Sequence, residues 1–138
     1  MAISSCTISG NTAGQVGSGG GVLVLGGSVT ISSCTISGNT ASSGSGVFVN
    51  GGTVAISSCT ISGNQARWQG AGVYANYATV TITSSSITGN TNSGSGNAGG
   101  GVIFHSNTLT LSSCNITGNT AGVRAHAQKF PSPCMEKC

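Results

Sequence analysis

Acidic side chains, which supply the acid, base or calcium-binding groups of many enzymes, are almost absent from this chain. Its 138 residues contain one acidic side chain, Glu136, and no aspartate. Hydrolysis of a glycosidic bond by paired carboxylates needs two acids, and calcium-assisted elimination needs several anionic oxygen ligands. Asparagine and serine replace these groups poorly. The sequence therefore predicts a protein that is not an enzyme, with no catalytic residues and no cofactor.

The two histidines add little to this chemistry. No aspartate is available to orient His105 or His126 beside a serine, so a Ser–His–Asp arrangement is not predicted. Cys134, Cys138 and His126 carry atoms that bind zinc, but their spacing is not that of the usual zinc motifs. We therefore predict no metal site.

Four other cysteines recur at regular intervals and are candidate structural residues. They are Cys6, Cys34, Cys59 and Cys114, and Ser85 stands at the one remaining place of the series. If the series stacks in successive repeats, neighbouring Cα atoms are about 4.8 Å apart, which is within disulfide reach. Small thiols also pack well inside a core. We favour buried, reduced thiols and keep disulfides as the alternative.

These cysteines belong to an internal repeat that accounts for most of the chain. Each repeat contains the motif Ile-(Ser/Thr)-Gly-Asn, and its asparagines are Asn11, Asn39, Asn64, Asn90 and Asn119. Repeats of this length are typical of solenoids, in which each unit buries its apolar side against its neighbours. We expect the five asparagines to be structural, stacked at a turn where their amides hydrogen-bond along the solenoid axis.

Each repeat has one part of constant length, which is the scaffold, and one part of variable length, which is a loop. A valine that follows closely spaced glycines precedes each of the last four asparagines by 17 positions, as Val22 precedes Asn39. All variation in repeat length falls between one asparagine and the next valine, where Gly, Ser and Asn accumulate. That segment is predicted to be a projecting loop.

The fixed scaffold has the alternation of apolar and small polar residues that is typical of β-strands, as in Val29-Thr30-Ile31-Ser32. Each repeat is predicted to form three short strands, such as 22–25, 29–32 and 34–37. The predicted fold is all-β, a right-handed parallel β-helix (solenoid) of four to five coils over residues 1–121. Residues 122–138 depart from the repeat and are predicted to be a cap or a disordered tail.

The pairing of Gly-Gly-x-Val with Ile-x-x-Asn resembles the repeats of chlamydial polymorphic outer-membrane proteins, which carry Gly-Gly-Ala-Ile and Phe-x-x-Asn. The resemblance covers most of residues 2–123, although here Ile replaces Phe and Gly usually replaces Ala. It implies a role in adhesion or scaffolding at a cell surface. The wider β-helix group also contains polysaccharide-degrading enzymes, so the resemblance implies the fold better than the function.

One outward column of the predicted solenoid is apolar where water is expected. Its members are Leu23, Phe48, Tyr74 and Ile103. Exposed apolar stripes mark contacts, and aromatic rings stack on sugars. We predict that these four residues bind a protein or glycan partner, which the sequence does not identify. Exposed end coils would also allow end-to-end self-association.

A second outward face carries a ladder of hydroxyl and amide side chains that resembles the ice-binding face of antifreeze proteins. Its members are Thr7, Ser9, Thr35, Ser37, Thr60, Ser62, Ser86, Thr88, Asn115 and Thr117. Many of these positions are Ser or Asn rather than Thr, so we interpret the ladder first as an ordinary solvated strand face. Ice binding is the alternative.

The charge balance also limits the possible partners. The chain has a net charge of +3 from few and scattered groups, which does not form a nucleic-acid-binding surface. No apolar stretch is long enough to span a bilayer, and no signal peptide opens the chain, which begins in mid-repeat and is expected to be a fragment. The leading hypothesis is a non-catalytic, extracellular or cell-surface module with an adhesive or structural role. Ice binding is second, and a fragment of a polysaccharide-acting enzyme is third.

Overall fold

The computed structural model describes residues 1–94 and 99–121, which form short β-strands joined by tight turns. The predicted tail, 122–138, lies outside the described residues, and so do Cys134, Cys138 and His126. Within the described ranges, no helix is long and apolar enough to cross a membrane.

Fifteen strands follow one another in the described residues. They are β1 (Ala2–Ser4), β2 (Thr7–Ser9), β3 (Val22–Val24), β4 (Ser28–Ser32), β5 (Thr35–Ser37), β6 (Thr40–Ser43), β7 (Val47–Asn50), β8 (Thr53–Ser57), β9 (Thr60–Ser62), β10 (Gln65–Gln69), β11 (Val73–Thr83), β12 (Ser86–Thr88), β13 (Thr91–Asn92), β14 (Val102–Ser112) and β15 (Asn115–Thr117).

Every strand pairs in parallel with the equivalent strand of a neighbouring repeat, and this pairing makes the chain a β-solenoid. The first face contains β3, β7 and the beginnings of β11 and β14, and the second contains β1, β4, β8 and the ends of β11 and β14. The third face contains β2, β5, β9, β12 and β15. The predicted all-β solenoid of four to five coils is confirmed.

The core consists of apolar columns that run along the solenoid axis. Because the strands are in register and side chains alternate between the two sides of a strand, equivalent residues of successive coils lie directly above one another. The isoleucines with no exposed surface are Ile31, Ile36, Ile56, Ile61, Ile82 and Ile87. Burying one such side chain stabilises the fold by roughly 1.5–3 kcal/mol. Because the coils above and below provide part of this burial, the stability of each inner coil depends on both neighbours.

The corner between the second and third faces is made by a serine in the left-handed backbone region. Ser33 has a φ of 53°, and its amide donates to the carbonyl of Ser57 in the next coil at 3.0 Å. The equivalent corner residues are Ser5, Ser58, Ser84 and Ser113. This conformation costs roughly 1–2 kcal/mol in a residue other than glycine, and the hydrogen bonds between coils hold it in place.

The corner between the first and second faces changes along the solenoid. The early coils turn with two glycines of positive φ, such as Gly51 and Gly52, whereas the later coils turn with Tyr77 (φ 50°) or Asn107 (φ 84°). The single-residue corner interrupts the extended backbone less. This explains why β11 and β14 each run through two faces as one strand of 11 residues.

A fourth face lies in the segment that was predicted to be only a loop. Strands β6, β10 and β13 follow the asparagines directly and form a three-stranded parallel sheet. The strands β6, β10 and β13 therefore add a fourth strand to the three that the sequence predicts in each coil. They pair because the residues just after each asparagine keep the same register. Part of the variation in repeat length lies within this sheet, as one additional residue in β10, and the rest lies in the residues that follow the sheet.

Candidate functional site

Few side chains of the described residues carry groups suited to acid, base or metal chemistry. Arg67 carries the only formal side-chain charge in residues 1–94 and 99–121. That part of the chain also contains no group of three or more His, Cys, Asp or Glu residues that could hold a metal ion. His105 lies on the first face, where its ring centroid is 5.6 Å from that of Tyr74.

The predicted binding column, Leu23, Phe48, Tyr74 and Ile103, does stack in register on the first face. The rings of Phe48 and Tyr74 are stacked, with centroids 5.0 Å apart and an interplanar angle of 20°. Leu23 is 48% exposed, but Phe48 and Ile103 are half-buried and Tyr74 is only 8% exposed. Burial, and to a lesser degree the nearby Tyr77, raises the pKa of the Tyr74 hydroxyl. The column therefore presents less open apolar surface than we expected.

The backbone before each first-face strand covers part of this column. A side chain on Gly44 would lie 2.6 Å from Cβ of Phe48, and one on Gly70 would lie 2.8 Å from Cβ of Tyr74. Both glycines also have positive φ. The glycine three residues before each of these two strands thus lets the loop backbone lie against the base of the aromatic side chain, and this glycine belongs to the repeat motif that the sequence shows.

The hydroxyl ladder of the third face forms two parallel rows that cross all five coils. One row contains Thr7, Thr35, Thr60, Ser86 and Asn115, and the other contains Ser9, Ser37, Ser62, Thr88 and Thr117. Neighbours within a row are about 4.8 Å apart, and the two rows are about 6.6 Å apart. All ten residues are exposed or half-buried. The result is a flat, uncharged and regularly spaced outer surface.

A bulge on the fourth face places two large side chains in solvent, and the sequence analysis missed it. Ala66 pairs with Ala41 and Gln69 pairs with Ser43, so β10 contains one residue more than β6 between the same points. The extra residue breaks the inward and outward alternation, and both Arg67 and Trp68 are exposed. Trp68 is 56% exposed. The one indication of this site in the sequence is that Trp68 is the single tryptophan of the chain.

The asparagines form a continuous ladder of hydrogen bonds at the corner between the third and fourth faces. Nδ2 of Asn39 donates to Oδ1 of Asn64 and to the carbonyl of Ile8, both at 3.0 Å. Oδ1 of Asn39 accepts from the backbone amide and from Nδ2 of Asn11, also at 3.0 Å. The same pattern continues through Asn90 to Asn119. Each inner amide therefore satisfies backbone groups of both neighbouring coils.

Three of the four repeat cysteines line the core beside the corner serines, and the prediction of a buried thiol is wrong for Cys6. Cys34, Cys59 and Cys114 are buried and Cys6 is exposed, and Cys6, Cys34 and Cys59 are thiols rather than disulfides. The backbone amide of Cys34 donates to Sγ of Cys59 at 3.4 Å. Burial is the main cause that raises the pKa of the Cys59 thiol.

Ser85 takes the place of a cysteine without interrupting this pattern. Its hydroxyl accepts the backbone amide of Cys59 at 3.1 Å and donates to the carbonyl of Thr83 at 2.8 Å. A serine hydroxyl can therefore make the contacts that a thiol makes in the other coils.

Comparison with known proteins gives a family and nothing finer. A family model described as a right handed beta helix region matches residues 20–133. The searches of curated proteins and of solved structures returned no match.

Proposed function

Because the chain belongs to the right-handed β-helix family, whose fold serves many unrelated functions, we propose from its own surface that it is a non-catalytic adhesive or structural module. We place it outside the cell or on a cell surface, where its solenoid acts as a stiff support and its partner is a glycan or a protein. The repeat motif, which resembles that of chlamydial polymorphic outer-membrane proteins, supports this location.

The observation that carries the proposal is the bulge at Arg67 and Trp68. The rest of the described surface consists mainly of small, uncharged side chains, and this position alone combines a charge with a large, exposed aromatic ring. Tryptophan and arginine are the side chains that most often dominate binding energy at protein surfaces. An indole ring also stacks on the apolar face of a sugar, while a guanidinium binds hydroxyl or anionic groups. We therefore expect a glycan to bind at this bulge.

Replacing Trp68 with alanine should weaken glycan binding about ten-fold or more, because truncation of a central aromatic contact commonly costs over 1 kcal/mol. The stability should change little, since Trp68 is more than half exposed. The measurement is binding of the labelled full chain to an array of neutral and acidic polysaccharides, followed by titration of the best ligand.

Leu25→Ala is the matched control, because Leu25 is also an exposed apolar side chain but directly follows β3 on the first face, away from the fourth face that carries the bulge. We expect this variant to bind like the unaltered chain. Failure of the chain to bind any glycan, or equal binding by the Trp68 variant, would contradict a glycan-binding role for the bulge.

Ice binding is the second candidate, and the regular surface of the third face favours it. Two rows of hydroxyl and amide side chains keep one register through five coils, without any charge. A rigid and regularly spaced surface of this kind can order water over an area that single hydroxyls cannot. The mixture of Thr, Ser and Asn within the rows places this candidate second.

If the third face binds ice, the purified chain should shape ice crystals and show thermal hysteresis, and Thr35→Tyr should abolish both. The bulky ring would disrupt the flat face, but it would leave the fold intact because Thr35 is exposed. Thr91→Tyr, an equally exposed position on the fourth face, is the control and should retain the activity. Round, unshaped crystals would eliminate this candidate.

A further inference from the structure

Cys6 and Cys34 occupy the same corner of two successive coils. Strands β1 and β4 are in register before this corner, and β2 and β5 are in register after it. The amide of Thr35 donates to the carbonyl of Cys6 at 2.9 Å, which holds the two corners together. Cα atoms of paired strands lie about 4.8 Å apart, within the range of about 4.4–6.8 Å that disulfides span.

The neighbouring pair, Cys34 and Cys59, is less able to react. Both of these residues are buried, so neither thiol of this pair is open to attack on a small disulfide in solvent. Their coils are hydrogen-bonded on both sides, so they have little freedom to move closer together. By contrast, Cys6 is exposed to solvent.

We propose that Cys6 and Cys34 are a thiol oxidation site, at which a small-molecule disulfide joins the first coil to the second. The thiolate of Cys6 attacks one sulfur of the disulfide, forms a mixed disulfide and releases one thiolate. The thiolate of Cys34 then attacks Sγ of Cys6, forms the internal disulfide and releases the second thiolate. Two protein thiols are oxidised, the small disulfide is reduced to two thiols, and the protons of Cys6 and Cys34 pass through solvent to the released thiolates.

The disulfide would add a covalent link to the hydrogen bonds that join these two coils. Cys6 and Cys34 close a loop of one complete coil, and a cross-link of that length restricts the unfolded chain considerably. It would also prevent the first coil from separating from the second. A disulfide of this kind persists in an oxidising, extracellular environment.

The test uses the full chain with Cys114, Cys134 and Cys138 replaced by serine, so that Cys6, Cys34 and Cys59 are the remaining thiols. Ser85 shows that serine is accommodated in the cysteine column. After incubation with glutathione disulfide, we expect the intact mass to fall by two hydrogens. Non-reducing digestion should give a peptide pair that contains Cys6 and Cys34. The melting temperature should rise by about 5 °C or more.

Two further variants separate the expected pair from other oxidation products. In Cys34→Ser, Cys6 should stop at the mixed disulfide and gain the mass of one glutathione. In Cys59→Ser, oxidation should proceed as before. A stable glutathione adduct on Cys6 while Cys34 is present, a link between Cys34 and Cys59, or no oxidation at all would overturn the proposal.

Discussion

Replacing Ile61 with aspartate is expected to unfold the solenoid. Ile61 lies in the middle of the third-face column, paired with Ile36 below and Ile87 above, and none of its surface is exposed. The substitution removes an apolar side chain and brings a carboxylate into a site without polar partners, at a cost of several kcal/mol. Since a domain of this size is stable by only about 5–15 kcal/mol, we expect loss of the β-sheet circular dichroism signal at room temperature.

The neighbouring residue provides the control for this experiment. Thr60 precedes Ile61 in the same strand, but it points outward and is exposed. Thr60→Asp adds the same charge in the same coil, and we expect it to change the melting temperature by only a few degrees. Equal damage from the two substitutions would contradict this assignment of inward and outward positions, and greater damage from Thr60→Asp would show that it is reversed.

The features that the sequence could predict are those fixed by regular repetition. Alternation at period two assigns Ile61 to the core, and it assigns the equivalent residue of every other repeat in the same way. The constant distance of 17 positions from Val22 to Asn39, and in the three following repeats, then requires equivalent residues to stack. Because each coil repeats the pattern of the last, an error in one coil would conflict with all the others. For this reason the solenoid and its core columns follow from the sequence alone.

The features that the sequence could not predict arise where the repeats differ. The bulge that exposes Arg67 and Trp68 depends on one additional residue in β10, which resembles ordinary loop variation until the strands on either side are paired. The burial of Tyr74 depends on the loop backbone at Gly70, which lies against its Cβ, and on the neighbouring rings of Phe48 and His105, and strand alternation does not report these contacts. Both depend on the path of the segment between Asn and Val, where periodicity is lost.

Asn92 shows a further limit of reasoning from columns. It pairs with Ala66 on the fourth face and is buried, although alanines occupy the equivalent places in the two preceding coils. Its Oδ1 accepts the amide of Gly94 at 2.8 Å, but its Nδ2 has no hydrogen-bond partner among the described residues. A buried donor of this kind costs about 1–3 kcal/mol, so the repeat tolerates one departure from its pattern where the loop is longest.

Asn64→Ala should strongly destabilise the solenoid, because Asn64 is fully buried in the asparagine ladder. Oδ1 of Asn64 accepts the backbone amide and Nδ2 of Asn39, and its Nδ2 donates to Oδ1 of Asn90 and to the carbonyl of Ile36. Truncation leaves two donors and one carbonyl buried without these partners, at about 1–3 kcal/mol each. We expect the free energy of unfolding, measured by urea denaturation, to fall by roughly 3–5 kcal/mol.

Asn11→Ala is the matched control at the exposed end of the same ladder. Asn11 donates one side-chain hydrogen bond to Asn39, and because it is exposed, water can replace what is lost. We expect a loss of about 1 kcal/mol or less. A loss as large as that of Asn64→Ala would contradict the explanation by buried, unsatisfied groups. Small losses from both would mean that the apolar columns hold the coils together without the asparagine ladder.

The variant Asn64→Asp separates the role of the Asn64 amide as a hydrogen-bond acceptor from its role as a donor, because the new carboxyl group titrates with pH. The carboxylate keeps the acceptor for Asn39 but faces Oδ1 of Asn90 and the carbonyl of Ile36, to which Asn64 normally donates. Burial and these two acceptors favour the protonated acid, so its pKa should be raised in the folded state. Stability should therefore be greatest below about pH 4, the usual pKa range of an unfolded aspartate, and should fall as the pH rises toward the folded-state pKa. A variant whose stability increased across that range would show that the donor side of the ladder contributes little.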